Sequence, residues 1–284
     1  MRRRPTAELL DTDSGTPAEV AGSIADLRFF NRRFGGIATT RSLIQSVARE
    51  TGKSEFSVLE VASGDGYLSQ EVSLSLRNVG IRLNITLSDR AASHLPASAN
   101  SSHNENLSHG NARVGRTFLS DAFDVGVGVG SEYQDQNQSQ KRWTGVSDPH
   151  EPATVSSAVV ADALNLPFPD SAFDLISCSL FVHHLSPEQA TTFARESLRA
   201  CRDAVLVNDL IRDPLHLALV YAGTPLYRSR ITRHDAPASV RQAYTIEEMR
   251  SFFQRAGAAS VEIQRHYLYR MGVIAWKKKG KSAA

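Results

Sequence analysis

The sequence predicts an α/β protein in which helices cover a doubly wound, mostly parallel sheet. An apolar run over 56–61 ends in a turn of small residues and precedes a helical pattern, in the order strand, turn, helix. Further apolar segments recur between helical or polar stretches. The last two segments, 260–265 and 267–276, alternate apolar and polar residues, which predicts an antiparallel pair. Together they predict seven strands, with an antiparallel strand at the C-terminus.

The composition bounds the class of protein. The chain has 284 residues, of which 41% are hydrophobic and 22% charged, enough for one large α/β domain. Its net charge of +2 gives no argument for a nucleic acid or membrane partner, and no apolar run is long enough to cross a bilayer. Cys178 and Cys201 fall in apolar segments, so no disulfide framework is indicated. We expect a soluble, cytoplasmic monomer or homodimer.

Two regions precede the first strand. Residues 1–16 are polar without periodicity, which predicts a disordered tail. Residues 17–54 have apolar residues at helical spacing, which predicts an N-terminal helical cap. The first helix ends near Arg32 and Arg33. It either packs on the sheet with its arginines solvated, or covers a ligand, in which case Arg32 or Arg33 meets a carboxylate.

The turn after the first strand is the predicted ligand site. It follows Glu60 and contains Ala62, Ser63, Gly64 and Gly66. Glycines carry no Cβ, so the backbone of such a turn approaches a ligand closely. A dinucleotide fingerprint needs a third glycine, which is absent here, so the sequence disfavours a pyrophosphate ligand. The alternative is an ordinary strand-to-helix turn without a ligand.

An acidic residue also follows the second strand. The segment 81–87 alternates apolar and polar residues and leads to Asp89. A carboxylate about 20 residues past the glycine turn accepts hydrogen bonds from ribose hydroxyls. The alternative role of Asp89 is a helix N-cap, and the two roles are compatible.

A long polar segment, residues 97–156, interrupts the main domain, which we predict over 55–276. The segment is rich in Ser, Asn, Gln and Gly, and it far exceeds an ordinary strand-to-helix connection. Its histidines lack the close spacing of a metal site, and no metal ion is predicted for the protein. We expect a flexible surface insertion.

The pattern of strands and helices resumes after the insertion. Asp162 ends the third strand, and Ser179 ends the fourth strand, just before His183 and His184. Capping boxes at Ser186–Gln189 and Thr245–Glu248 predict two helix starts. The fifth strand spans 204–207, and a basic tail is predicted over 277–284.

In this order, the motifs resemble those of the Rossmann-like (class I), S-adenosylmethionine-dependent small-molecule methyltransferases, over about residues 55–276. Ala62 stands where this family has the first glycine of its turn. The resemblance implies S-adenosylmethionine as cofactor, with Glu60 near its ammonium group, Asp89 at the ribose and Ser179 beside the sulfonium. The predicted cofactor-binding residues are Glu60, Ala62, Ser63, Gly64, Gly66, Asp89, Asp162 and Ala163 at the adenine, Ser179 and Arg32.

The implied chemistry is methyl transfer to a small molecule, with a hydroxyl or phenolic oxygen as the expected acceptor. A histidine has a pKa suited to accepting the proton of such a group, so His184 is the first candidate base and His183 the second. The segments Asn31–Gly36 and Asn208–Arg212 also resemble those of bacterial relatives and are expected to close over cofactor and substrate. The alternatives are a cofactor-binding subunit without turnover and an NAD-dependent dehydrogenase.

Overall fold

One seven-stranded sheet forms the centre of the protein in the computed structural model, which describes residues 1–12, 15–91, 95 and 155–278. The strands lie in the order β3-β2-β1-β4-β5-β7-β6. β7 runs antiparallel to both of its neighbours, and the other strand pairs are parallel. The predicted fold class is confirmed. The strands are β1 (Glu55–Val61), β2 (Arg82–Asp89), β3 (Val155–Val160), β4 (Phe173–Ser179), β5 (Cys201–Leu210), β6 (Ser260–His266) and β7 (Arg270–Trp276).

The strand order reverses at β1, which lies between β2 and β4. Glu60 pairs with Leu87 on one side and with Ser177 on the other. The carboxyl ends of β1, β2 and β4 therefore lie side by side. In open α/β sheets, ligands bind outside the carboxyl ends of the strands at such a reversal.

Seven α-helices accompany the sheet in the described part of the chain. Predicted capping boxes begin α4 at Ser186 and α7 at Thr245, and a third begins α1 at Thr16. Two helices between 214 and 242 were not predicted from the sequence. The helices are α1 (Pro17–Arg33), α2 (Gly36–Thr51), α3 (Tyr67–Arg77), α4 (Pro187–Ala200), α5 (Pro214–Ala222), α6 (Arg230–Gln242) and α7 (Ile246–Arg255).

Apolar side chains on both faces of the sheet form two hydrophobic clusters. Successive residues of a strand point to opposite faces. Leu59 and Val61 accordingly join the cluster that includes residues of α4 and α7, while Phe56 and Val58 join the cluster that includes residues of α2 and α3. Burying each such side chain stabilises the fold by about 1.5–3 kcal/mol. This double covering explains why the central strands β1, β4 and β5 are buried along most of their length.

The N-terminal residues differ from the predicted disordered tail. Arg3 donates hydrogen bonds to the carbonyl oxygens of Gln242, His183 and Leu185, at 2.7, 3.0 and 2.9 Å. Its guanidinium also lies over the ring of Tyr244. Residues 1–12 therefore lie against the end of β4 and against α6. Polar side chains bind tertiary partners without leaving a periodic pattern, so the sequence alone does not reveal these contacts.

The predicted basic tail also begins with a residue that contacts the domain. Nζ of Lys277 donates to Oγ of Ser171 and to the carbonyl oxygens of Arg199 and Cys201, at 2.9–3.0 Å. Lys277 thus satisfies carbonyl groups at the end of α4. Residues 279–284 and residues 97–154 of the predicted insertion lie outside the described residues. Within the described ranges, no helix is long and apolar enough to cross a membrane.

Candidate functional site

The turn between β1 and α3 has a left-handed backbone at three positions. Ala62, Gly64 and Gly66 have φ angles of 53°, 53° and 71°. A Cβ atom at Gly66 would lie 2.5 Å from Cδ1 of Leu87, so any other residue would have to displace the Leu87 side chain as well as adopt a positive φ. Ala62 adopts the conformation that favours glycine, at a conformational cost of about 1–2 kcal/mol.

Asp89, at the end of β2, is bonded to the turn. Its Oδ2 accepts a hydrogen bond from the amide of Gly64 at 3.0 Å, and its Oδ1 accepts one from the amide of Ala91 at 3.1 Å. The amide of Ser63 donates to the carbonyl oxygen of Ser88 at 3.0 Å. The structure therefore brings together the turn and the carboxylate that the sequence predicted for one ligand.

Glu60 is a carboxyl group enclosed below the turn. Only 4% of the residue is exposed. Burial raises the pKa of Glu60 from 4.5 to about 7, against hydrogen bonds from Ser177 and Ser69, which lower it. Its neighbours in this network are hydroxyl groups, so a cationic group of a ligand would stabilise the ionised form.

The third and fourth strands end beside the same edge of the sheet. Asp162 is exposed, and its Oδ1 accepts a hydrogen bond from the amide of Leu164 at 2.9 Å, within a tight turn that contains Ala163. Oγ of Ser179 and Oγ of Ser88 are buried without a hydrogen-bond partner among the described residues. Buried hydroxyls are normally paired, so these two atoms are suited to a polar ligand at this edge.

Helix α1 contacts the glycine turn through its arginines. Arg28 forms an ion pair with Asp65, a residue of the turn. Arg32 instead pairs with Glu71 of α3, with Nη2 at 3.4 Å from Oε1. Both guanidinium groups lie over the ring of Tyr67, at 5.1 and 5.9 Å from its centre. The contact with the turn therefore comes from Arg28, which the sequence did not single out.

His183 lies in a buried ion-pair network. Its Nδ1 is 2.6 Å from Oδ1 of Asp209, and its Nε2 is 3.7 Å from Oε1 of Glu8. Burial lowers the pKa of His183, but the charges and hydrogen bonds of Asp209 and Glu8 outweigh it and raise the pKa to about 10. The imidazole is thus protonated near neutral pH, a state in which it accepts no further proton. This environment speaks against His183 as a general base.

His184 lies next to His183 but is more accessible. Its side chain is 25% exposed, and its Nδ1 is 2.9 Å from Oδ2 of Asp11. The two imidazole rings are 4.2 Å apart at a tilt of 34°. A carboxylate on Nδ1 orients the ring and leaves Nε2 to act on a substrate. Asp11 belongs to the N-terminal segment, and no motif in the sequence pointed to it.

The segments Asn31–Gly36 and Asn208–Arg212 meet each other inside the protein. Nδ2 of Asn208 donates to the carbonyl oxygen of Gly36 at 2.8 Å. Arg270, 4% exposed, donates to Oδ1 of Asn208 at 3.2 Å and to Oδ1 of Asn31 at 2.9 Å. Burial lowers the pKa of Arg270 to about 10. These contacts hold α1 and α2 against β5 and β7, a different role from the predicted closure over a ligand.

Comparison with known proteins finds similarity to methyltransferases. A family model described as a methyltransferase domain matches residues 123–206, less than half of the chain. The apo structure of the S-adenosylmethionine-dependent methyltransferase SibL covers 97% of this chain with 64% of its own, at 14% identity and a TM-score of 0.52. This likeness shows the fold. No curated protein matches the sequence.

Two further solved structures are similar over most of the chain. A candidate O-methyltransferase from Nostoc punctiforme PCC 73102 has 14% identity and a TM-score of 0.48, with 84% of this chain and 56% of its own covered. An O-methyltransferase family 2 protein from Planctomyces limnophilus DSM 3776, in complex with apigenin, has 14% identity and a TM-score of 0.45, with 78% and 50% covered. The chain spans about half to two thirds of the length of these three structures.

Residues 123–206 match a methyltransferase domain, and the fold is that of S-adenosylmethionine-dependent methyltransferases. Both findings agree with the predicted class, a Rossmann-like, S-adenosylmethionine-dependent methyltransferase.

Proposed function

We propose that the whole protein is an active enzyme that transfers the methyl group of S-adenosylmethionine to a hydroxyl or phenolic oxygen of a small molecule. The observation that carries cofactor binding is the pair of carboxyl groups at the ends of β1 and β2. Glu60 and Asp89 flank the turn Ala62–Gly66, and Asp89 is bonded to its backbone. This arrangement suits a ligand with a cationic end and a ribose.

The remaining predicted contacts follow from their places along the edge of the sheet. Glu60 would hold the ammonium group of the cofactor, and Asp89 the ribose hydroxyls. Asp162 and Ala163 would contact the adenine from the end of β3. Ser179 would lie beside the sulfonium, which its unpaired buried hydroxyl supports. Arg32, paired with Glu71, would act from α1 by covering the site.

The protein contributes chiefly alignment to the reaction. When bound, S-adenosylmethionine supplies an electrophilic methyl group. The protein must hold the acceptor oxygen in line with that group and exclude water, and alignment of this kind lowers a barrier by several kcal/mol. A hydroxyl acceptor must also lose its proton. His184, oriented by Asp11, is our candidate for accepting it, and the protonated His183 is not.

Binding of S-adenosylhomocysteine, followed by isothermal calorimetry, tests the cofactor site. Turnover is tested by release of S-adenosylhomocysteine with panels of phenols, alcohols and amines of similar size. We expect release with members of the first two panels and none with amines. Release with amines alone would contradict the oxygen acceptor. Binding without release from any panel would favour the cofactor-binding subunit without turnover.

A further inference from the structure

The strongest unassigned feature is a cluster of two histidines and a carboxylate where the N-terminal segment meets the end of β4. Glu8, His183 and His184 each offer one ligand atom, and these three atoms lie within 4.8 Å of one another. Glu8 and His183 are buried, and His184 is partly exposed. Two imidazoles with one carboxylate form a ligand set that binds Zn²⁺ and related transition metals.

The spacing within the cluster is close to that of two ligands of one metal ion. Nε2 of His183 and Oε1 of Glu8 are 3.7 Å apart. Ligands at 2.0–2.1 Å from a tetrahedral Zn²⁺ lie about 3.4 Å from each other. A shift of a few tenths of an ångström therefore brings this pair to metal-binding distance, and the accessible His184 side chain can move to complete the set.

Each member of the cluster is also held by a second group. Nδ1 of His183 faces Asp209 at 2.6 Å, and Asp209 is fully buried. Oε1 of Glu8 accepts hydrogen bonds from Oγ of Ser239 at 2.6 Å and from Nε2 of Gln242 at 2.7 Å. Metal-binding histidines commonly donate their other ring N–H to a carboxylate, which fixes the ring and its tautomer.

The charge of the cluster favours a cation. Three carboxylates, those of Glu8, Asp11 and Asp209, contact the two imidazoles. Even with His183 protonated, the three carboxylates outnumber its single positive charge, so a divalent ion that displaces this proton would reduce the excess of negative charge. The histidine–carboxylate pair on α6, His234 with Asp235 at 2.8 Å, belongs to no group of three potential metal ligands among the described residues.

We propose that Glu8, His183 and His184 bind a divalent transition metal of the Zn²⁺ class. The ion joins the N-terminal segment to the end of β4. A loaded site also withdraws His184 from accepting a proton, so the metal would inhibit the methyl transfer. This last consequence rests on the proposed function, whereas metal binding itself does not.

Metal binding is tested on the full chain after removal of bound metals with a chelator. Co²⁺ is added and its visible absorption followed, and Zn²⁺ is titrated by calorimetry in parallel. We expect one equivalent bound by the parent, and affinity about 100-fold lower in both Glu8→Gln and His184→Gln. His234→Gln, which changes the pair on α6, is the matched control and should bind like the parent.

Two outcomes would overturn the proposal. The first is a parent that binds neither ion. The second is binding that Glu8→Gln and His184→Gln retain, which would locate the ion elsewhere in the chain. Circular dichroism checks that each variant is folded. S-adenosylhomocysteine binding is measured on the same samples and should persist in Glu8→Gln, so failure of the metal site is distinguishable from failure of the cofactor site.

Discussion

The amide of Gly64 donates a hydrogen bond of 3.0 Å to Oδ2 of Asp89. The bond joins the turn after β1 to the end of β2, residues that are 25 positions apart in the sequence. Asp89 therefore serves the shape of the turn as well as the proposed ribose contact. Substitutions that separate the charge of Asp89 from its ability to accept a hydrogen bond distinguish these two roles.

Asp89→Ala should weaken S-adenosylhomocysteine binding about 100-fold, and Asp89→Asn about 10-fold. A hydrogen bond to a charged group is worth about 1.5–3 kcal/mol, and each 1.4 kcal/mol changes affinity tenfold. The asparagine side chain still accepts from the amide of Gly64 but has lost the charge. Calorimetry on both variants measures the effect. Parent-like binding by Asp89→Ala would show that Asp89 does not contact the cofactor.

Ala62→Gly should stabilise the protein by about 0.5–1 kcal/mol. The left-handed backbone at Ala62 is costly for alanine and not for glycine, although glycine loses more conformational freedom on folding. Urea unfolding measures the change in the free energy of unfolding. Ala48→Gly, within α2, is the control and should destabilise by a similar amount. We also expect Ala62→Gly to bind the cofactor at least as tightly as the parent, because it removes a methyl group from the turn; weaker binding would contradict this expectation.

Gly66→Ala should destabilise the protein more than Gly64→Ala. Both positions have a positive φ, which costs alanine about 1–2 kcal/mol. At Gly66 the new methyl group also meets Leu87, whereas at Gly64 no atom lies within 4 Å. We expect the difference to be about 1–3 kcal/mol, as for other overpacked sites. Equal losses of stability, measured by urea unfolding, would mean that Leu87 moves aside freely.

In the cofactor-free protein, the contribution of Glu60 to the free energy of unfolding should fall by about 3 kcal/mol as the pH rises from 4.5 to 8. Its pKa is 4.5 when unfolded and about 7 in the fold, and each unit corresponds to 1.36 kcal/mol. At a pH between these two pKa values, Glu60 is protonated in the folded state and ionised in the unfolded state. The stabilisation is therefore complete below the unfolded pKa and is lost as the pH rises through the folded pKa.

Glu60→Gln removes this contribution and should be more stable than the parent at pH 8. The comparison is made by urea unfolding of both proteins at several pH values. If the cofactor ammonium lies at Glu60, binding at pH 6 should also release close to one proton in the parent and none in the variant, measured by calorimetry in buffers of different ionisation heat. Identical proton release by the two proteins would place the ammonium away from Glu60.

Arg270→Leu should destabilise the protein by about 3–5 kcal/mol. The substitution leaves the buried Oδ1 of Asn208 and the partly buried Oδ1 of Asn31 without their charged donor. Arg265→Leu is the control, because Arg265 is exposed on the adjacent strand β6 and should change stability by less than about 0.5 kcal/mol. Thermal unfolding measures both. A small loss at Arg270 would show that water replaces its hydrogen bonds.

The fold and the cofactor edge were largely predictable because their signals are local. Each strand is marked by an apolar run or by alternating apolar and polar residues. The polar residues at the end of a strand follow it directly in the sequence. Glu60 and Asp89 could therefore be assigned to neighbouring strand ends without a structure. The choice between His183 and His184 could not be made this way, because adjacent residues in the sequence have different partners in space.

By itself, the sequence determined the fold class, the order of the strands along the chain and the polar residues at their carboxyl ends, since apolar patterning and glycine turns act within a few residues. Only the tertiary structure decided how polar residues pair across the chain. Arg3 and His183 are 180 positions apart, and Arg270 and Asn31 are 239 apart. Such contacts leave no periodic pattern in the sequence, because a hydrogen bond depends on the positions of two atoms in space and not on the spacing of their residues along the chain.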